Sequence, residues 1–380
     1  MADARAEILA ALNERDGGKR RRRLVALASV PVGSIDDDTL TLLVGALHDG
    51  GDLGARTAAM EILAAIGDAA LPALGRLLDN SNVGIRRLAV DTLGLSPSVR
   101  ALPLLERATA DANTTVRAAA IEGIARVGGS GASSILLRQL ETDVPAPVAL
   151  AALLGLEQLD VVAPSEIVRR WLDDALTSSA ALRLLGRAGD LAAVVPSLTA
   201  VSHLRVRAAV MGIADGLERG APPPPTLSTS MARARLVSMA RGGDQAGAAA
   251  AILSLAHIGD LDGVGVAAIR EDAALLLPAL HRAVELAERG GLDVHDALLR
   301  MLANATDAAV VDVIRELQEA AQRRRRQPGT VRRRERVAPL GDQEFTAIGR
   351  WFADAAGLAI AADARARVEA RLLPRLELRG

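Results

Sequence analysis

The sequence predicts an all-α protein: an α-solenoid of paired helices, followed by a short helical module at its C-terminal end. Three observations support this fold class. Arg56, Arg86 and Arg117 recur at spacings of 30 and 31 residues. Apolar positions around them recur at three and four residues, as on one face of a helix. No segment offers a convincing strand, so the repeating unit is helical.

The repeat consists of two helices joined by short turns. Segments 54–63, 84–93 and 115–124 share a pattern with one arginine near the start, and segment 204–213, with Arg207, follows three periods later. Between them, segments 70–79 and 99–107 carry a proline near their start, where a missing N–H is tolerated. Gly67, Gly94, Gly128 and Gly259 are expected to end helices. Such hairpins bury their apolar faces only by stacking on neighbours.

The turns before Arg86 and Arg117 contain residues 79–82 (Asp-Asn-Ser-Asn) and 111–113 (Asp-Ala-Asn). With the arginine and the Ala-rich second helix, this pattern resembles the HEAT repeat family in its short bacterial form. The resemblance covers roughly residues 35–320, over which we count eight or nine units. We expect Arg56, Arg86, Arg117 and Arg207 to reach an acidic or carbonyl partner in the adjacent repeat; a ligand-binding row is the minority alternative.

Proline and arginine divide the rest of the chain. A Pro-rich segment at 221–230 interrupts the solenoid, which we place at residues 1–322, and reads as an inter-repeat loop. Residues 323–336 hold eight arginines and one glutamate, so we interpret 323–338 as an Arg-rich linker. Nucleic-acid binding at this run and at 19–23 would also call for stacking aromatic residues, which are nearly absent.

Composition excludes several kinds of chemistry. Cysteine is absent, so disulfides and thiolate sites are excluded. The five histidines lack paired-ligand spacing, and no phosphate-cradling loop follows a strand. We therefore predict no catalytic residue, no metal and no cofactor in this chain. No signal-type core is visible, and no window is expected to reach the roughly 18 apolar residues of a membrane span, which favours a cytoplasmic location. The single lysine among 45 basic residues is typical of a GC-rich bacterial genome.

The last forty residues have a different composition, because three of the four aromatic residues of the chain lie between positions 345 and 352. The spacing predicts one helix after Pro339 and a second after Asp363. The apolar side chains at 3- and 4-residue spacing predict the core of this module. That core comprises Phe345, Ile348, Trp351, Phe352, Val368, Leu372 and Leu376.

The register from Phe345 to Gly380 resembles the start of the N-terminal helical domain of the CheR family, the chemotaxis receptor glutamate methyltransferases. The resemblance implies that residues 339–380 form a partial module of this type. It also implies that four arginines face a receptor or an active-site lid, namely Arg365, Arg367, Arg371 and Arg375. Two features depart from the family. Pro374 falls inside the second helix, and the sequence ends before the domain that binds S-adenosylmethionine.

We therefore interpret the chain as a non-enzymatic scaffold or targeting subunit in a bacterial chemosensory pathway. Its expected partners are proteins: chemoreceptor cytoplasmic helices or a chemotaxis methyltransferase. One alternative is the N-terminal part of a longer S-adenosylmethionine-dependent protein-glutamate O-methyltransferase whose catalytic domain is absent here. A second is a generic HEAT-repeat adaptor without a chemotaxis link. A lyase-like or base-excision activity would need clustered acidic and aromatic residues, of which the sequence has few.

Overall fold

The structure, a computed structural model, describes residues 37–48 and 53–305 except 271 and 293, with scattered positions between 6 and 19 and between 308 and 322. The predicted linker and the predicted C-terminal module lie outside the described residues. The chain divides into two units, Met1–Gln318 and Glu319–Gly380. Every helix described below belongs to the first unit.

Within the described residues, the regular elements are α-helices and short 3-10 turns. In chain order the helices are α1 (Asp37–His48), α2 (Leu53–Ile66), α3 (Leu71–Leu77), α4 (Val83–Leu95), α5 (Leu102–Ala108), α6 (Thr114–Val127), α7 (Ala132–Glu141), α8 (Ala146–Gln158), α9 (Ser165–Arg169), α10 (Ser178–Arg187), α11 (Leu191–Val194), α12 (His203–Glu218), α13 (Ser230–Gly242), α14 (Gln245–His257), α15 (Leu261–Gly265), α16 (Leu277–Arg289) and α17 (His295–Asn304). The 3-10 turns are Gly67–Ala70, Val99–Ala101, Val195–Thr199, Pro225–Ser228, Val266–Ile269 and Ala273–Leu276.

These helices form hairpins that stack in one direction. The odd-numbered helix opens each pair and the even-numbered helix closes it. Each even-numbered helix from α2 to α14 packs on the next even-numbered one, which produces a continuous inner layer. The predicted α-solenoid is therefore confirmed for the part of the chain that the structure describes.

Local sequence explains where the helices begin. The side chain of Asn82 accepts a hydrogen bond from the backbone N–H of Gly84 at 2.8 Å, and Asn113 does the same for Thr115 at 2.9 Å. Each asparagine thus satisfies one N–H that the helix leaves without a partner. Pro72 and Pro103 lie in the first turn of α3 and α5, where no N–H is needed.

The core is aliphatic and runs along the stack. Its largest fully buried side chains are leucines and isoleucines, each stabilising the fold by about 1.5–3 kcal/mol relative to an exposed position. They include Leu43, Leu47, Ile62, Leu63, Leu74, Leu93, Leu105, Ile121, Ile124, Leu136 and Leu140. The fifth hairpin is irregular: α9 has only five residues, and Trp171, 9% exposed, follows it.

A row of small residues lets the even-numbered helices approach one another closely. Its members, one from each helix between α4 and α14, are all buried: Thr92, Gly123, Gly155, Gly186, Gly212 and Ser254. At Gly186 an added Cβ would lie 2.0 Å from the carbonyl oxygen of Gly212. Glycine is therefore required there, since any side chain would overlap the backbone of the next helix.

One expectation about glycine is wrong. Gly67, Gly128 and Gly259 have positive φ angles and lie at helix ends, but Gly94 lies inside α4 and is buried. A Cβ on Gly94 would lie 2.8 Å from the Cα of Gly123. The reason for glycine at this position is therefore close contact between α4 and α6, which a local pattern does not reveal.

The expectation that no window is apolar enough to span a membrane also needs correction. Residues Arg56–Leu77 pass a test of length and mean hydropathy, with a value of 1.4. The stretch consists of α2, a 3-10 turn and α3, joined at Gly67 with φ +67°, and 61% of the window is buried inside the fold. These features are typical of buried core helices, so the stretch is weak evidence for a membrane span.

Candidate partner-binding surfaces

Arg86 joins the second hairpin to the third. Its Nε and Nη2 donate to the carboxylate of Asp111 at 2.7 and 2.9 Å, and its Nη1 donates to the carbonyl oxygen of Asn80 at 2.9 Å. The two side chains are only 14% and 9% exposed. The hydrogen bonds from Arg86 hold the pKa of Asp111 below its usual range, although burial opposes this. Such a pair ties neighbouring repeats and leaves little of either group for a ligand.

Of the other three predicted arginines, Arg207 reaches the next hairpin as Arg86 does, whereas Arg117 does not. Arg117 donates to the carbonyl oxygens of Asp111 and Ala112, which belong to its own hairpin rather than the adjacent one. Arg207 pairs with Asp244, the residue that caps α14, at 2.8–3.0 Å, and the pKa of Asp244 is lowered by that hydrogen bond. Arg56 is half-buried in α2, and its role as an inter-repeat tie stays a prediction.

A second set of ion pairs, which we call the ion ladder, follows the C-terminal ends of α8, α10 and α12. Arg183 forms two hydrogen bonds with Glu157, at 2.6 and 2.8 Å. Arg187 lies 3.2 Å from both Asp160 and Asp215. The ladder consists of Glu157, Asp160, Arg183, Arg187, Asp215 and Arg219. Sequence reasoning missed it, because its pairs, apart from Asp215 with Arg219, lie 26 to 59 residues apart.

Two contacts at this edge reach past an intervening even-numbered helix. Arg219, after α12, donates to Asp160, after α8, at 2.7 Å. Arg282 of α16 donates to Glu218 of α12 at 3.1 Å, and the same carboxylate lies 2.9 Å from His257 Nε2. Three hairpins meet in each case, so these groups connect repeats that are not direct neighbours in the stack.

A groove of about 390 Å³ lies beside α13, between residues 200–206 and the C-terminal half of that helix. We call it the α13 groove. Its lining includes the apolar side chains Ala200, Val201, Val206 and Met239, the polar side chains His203, Arg235 and Ser238, and the backbone of Gly242 and Gly243. Val201 is 99% exposed, and Leu204, directly after His203, is 73% exposed. No sequence pattern had indicated this surface.

The charges around the α13 groove are positive. Arg235 is exposed, and among the described residues it has neither a hydrogen bond nor an ion pair. The N-terminus of α12, a helix of 16 residues, opens at the groove with no acidic residue in its first turn. Asp244, the carboxylate that follows the groove in sequence, is already engaged by Arg207. The groove therefore favours an anionic group.

The described residues offer little for catalysis or metal binding. No group of three or more His, Asp or Glu side chains in this part of the chain could hold a metal ion. The predicted partner-binding arginines Arg365, Arg367, Arg371 and Arg375, and the predicted module core, lie outside the described residues. Their assignment stays a prediction.

The fold and these surfaces define the chain as a helical-repeat solenoid, and comparison with known proteins specifies the repeat. The family model for HEAT repeats matches residues 76–157, from the end of α3 to the end of α8. This match supports the predicted HEAT-type repeat over that range. No curated protein matches the chain in sequence.

Several solved structures are similar to the chain in fold. An engineered protein is 17% identical, with a TM-score of 0.43, covering 85% of this chain and 99% of its own. The Escherichia coli protein YibA is 16% identical, with a TM-score of 0.45, over 81% and 99%. Human deoxyhypusine hydroxylase in complex with glycerol is 18% identical, with a TM-score of 0.31, over 68% and 100%. Similarity at this level says nothing about what the present chain binds.

Proposed function

We propose that this chain is a non-enzymatic scaffold that holds protein partners on the surface of its solenoid. HEAT repeats generally mediate contacts between proteins, which supports the coarse assignment. A stack of hairpins gives a long surface whose position is fixed by its inner layer. This geometry suits binding of another protein better than enclosure of a small substrate.

The observation that carries this proposal is the way the described residues use their charged groups. The partly buried charges are paired across repeats, as in Arg86 with Asp111 and Arg183 with Glu157. Catalytic acids and bases are instead arranged to meet at one reacting atom. In the part of the chain that the structure describes, these paired side chains hold repeats together and do not meet at a common site, so the remaining surface is available for binding.

The scaffold proposal is tested by isolating the complex that the full chain forms in the cells that make it. The tagged chain should retain a protein partner at a fixed stoichiometry after nuclease treatment and gel filtration, and native mass spectrometry would measure that stoichiometry. The variant Gly186→Ala, which destabilises the solenoid, should retain less of the partner. Recovery of the chain alone, under conditions that keep it folded, would contradict the proposal.

The finer part of the proposal places the scaffold in a bacterial chemosensory pathway, in the cytoplasm. It is supported only by the sequence of residues 339–380 and its resemblance to the CheR family. On this proposal Arg365, Arg367, Arg371 and Arg375 contact the acidic helices of a receptor. The alternative of a longer methyltransferase is distinguished by the mass of the natural protein.

A charge reversal tests the chemosensory assignment. The triple variant Arg367→Glu, Arg371→Glu, Arg375→Glu should lose binding to purified receptor cytoplasmic helices in a pull-down, because three attractive contacts become repulsive. Reversal of three arginines of the predicted linker, Arg332, Arg333 and Arg334, provides the matched control. Equal binding by wild type and triple variant would leave the chain as a generic adaptor.

A further inference from the structure

We propose that the α13 groove is a docking site for an acidic peptide segment of a protein partner, one in which carboxylates alternate with large apolar side chains. This inference deepens the proposed scaffold function and rests on it. It concerns a surface on the odd-numbered helix α13 whose lining includes no residue of the ion ladder.

The first reason is the state of Arg235. Most arginines of the described solenoid are paired with a carboxylate, as Arg233, on the same helix, is with Asp260 at 2.9 Å. Arg235, two residues later, is exposed and has no partner among the described residues, although it lines a concave surface. An arginine held at a groove without an internal carboxylate is available for an external one.

The second reason is that the other fixed charges at the groove have the same sign. The N-terminal N–H groups of α12 carry partial positive charge, and the first turn contains Arg205 but no carboxylate. The side chain of Arg205 is hydrogen-bonded to the Ser197 hydroxyl, which leaves its charge uncompensated. No acidic residue lines the groove. Charge complementarity therefore selects an anionic occupant.

The third reason identifies that anion as part of a peptide. Val201, which is almost completely exposed, lines the groove together with Val206 and Met239, and the exposed Leu204 lies next to the lining residue His203 in sequence. Burying such surface favours a ligand that brings aliphatic side chains together with its carboxylates. Binding of a nucleic acid would instead require aromatic side chains on which its bases stack, and none lines the groove.

The experiment uses the full chain and a fluorescein-labelled peptide of four Glu-Glu-Leu repeats, followed by fluorescence anisotropy. The peptide should bind, whereas the matched peptides of Lys-Lys-Leu and Glu-Glu-Ser repeats should bind far more weakly. Arg235→Glu should raise the dissociation constant by about tenfold or more. Val201→Ser should raise it about threefold, because one exposed aliphatic contact is lost.

Two matched variants serve as controls. Arg76 is another exposed arginine without a partner among the described residues, and Val162 is another exposed valine, 60% exposed; neither lines the α13 groove. Arg76→Glu and Val162→Ser should leave the dissociation constant within about twofold of wild type. Circular dichroism of all four variants verifies that the fold is retained.

Three results would overturn the proposal: no binding of the Glu-Glu-Leu peptide, equal effects of Arg235→Glu and Arg76→Glu, or full competition by oligothymidylate at equal concentration. The third result would identify the groove as a nucleic-acid site. If the natural protein partner is still retained in any of these cases, the docking proposal is wrong and the scaffold function stands. If no partner is retained either, both proposals are wrong.

Discussion

The solenoid holds its repeats together in two different ways. Residues 67–158 and residues 159–219 differ in where the ionic contacts between repeats lie. In the first region the tie lies at the start of the even-numbered helices, where Arg86 pairs with Asp111. In the second region the position of α10 that corresponds to Arg86 is taken by a buried alanine, Ala180. Arg207 of α12 still pairs with Asp244 of the next hairpin, but the other ties lie at the opposite end of the helices and form the ion ladder.

The comparison teaches that an ionic tie and a close helix contact can occur together. In the first region a Cβ added to Gly94 of α4 would lie 2.8 Å from the Cα of Gly123, although Arg86 of the same helix is tied to Asp111. In the second region α10 and α12 approach even more closely, because a Cβ added to Gly186 would lie 2.0 Å from the carbonyl oxygen of Gly212. The HEAT repeat model matches the first region and ends at residue 157, before the second begins.

The largest expected effect concerns the glycine contact. Gly186→Ala should lower the free energy of unfolding by about 3 kcal/mol or more, since the new Cβ would lie 2.0 Å from a backbone oxygen that cannot move independently. Urea denaturation followed by circular dichroism measures it. Gly45→Ala in α1 is the control: nothing lies within 4 Å of the new Cβ, so helix propensity should stabilise the protein by up to about 1 kcal/mol. Equal stabilities for the two variants would refute close packing in the second region.

A smaller effect tests the ionic tie of the first region. Asp111→Ala should destabilise the protein by about 2 kcal/mol, because it leaves the part-buried guanidinium of Arg86 without its carboxylate. Asp79→Ala removes an exposed carboxylate 3.7 Å from Arg107 and should cost less than about 0.5 kcal/mol. Thermal denaturation of both variants provides the comparison. A loss at position 79 that matches the loss at 111 would show that burial of the pair is irrelevant.

The pKa of Asp111 predicts a pH dependence with a definite sign. Arg86 lowers that pKa in the folded state relative to the ordinary value of 3.8, so the folded protein binds this proton less readily than the unfolded chain. The stabilisation is complete above the unfolded-state value and is lost as the pH falls through the lower folded-state value. Asp111→Asn should therefore flatten the acid side of the stability curve, measured by urea titration between pH 5 and pH 2 (about the range over which carboxylates titrate). If stability of the Asp111→Asn variant falls with pH as steeply as that of wild type, the ion pair between Arg86 and Asp111 does not contribute to acid stability.

The smallest effect separates backbone strain from charge in the ion ladder. Asp160 has φ +54°, a left-handed conformation that glycine adopts without strain. Asp160→Gly loses two exposed ion pairs but relieves the backbone, so stability should change by less than about 0.5 kcal/mol. Asp160→Val loses the same charge and puts a β-branched residue at positive φ, so it should cost about 1–2 kcal/mol. Identical melting temperatures for the two variants would mean that the turn changes its backbone conformation and removes the strain.

Sequence reasoning found what local pattern specifies. The spacing of Arg86 and Arg117, the Asp/Asn-rich turns before them and the early prolines indicate where helices start, and these features depend on neighbours a few residues away. It assigned Arg117 to the adjacent repeat, whereas its donors stay in their own turn. It also missed the row of small residues, although Gly123 and Gly155 lie one period apart and buried small residues at that spacing are a readable signal.

The α13 groove and the ion ladder could not be found in this way. A groove exists only where the turn before α12 and the helix α13 meet, and no periodicity encodes the gap between them. Likewise the unpaired state of Arg235 is visible only once the partners of the other arginines are known.

The sequence by itself determined the helical hairpin, its period and its stacking, because caps, prolines and apolar spacing act within one or two turns of helix. Only the tertiary structure decided which charges meet, such as Arg219 with Asp160 across 59 residues and Arg282 with Glu218 across 64. These side chains come within hydrogen-bond distance of each other only after the angle between repeats is set. That angle depends on how closely backbones approach at Gly186 and Gly212, which is a property of packed surfaces and not of any local pattern.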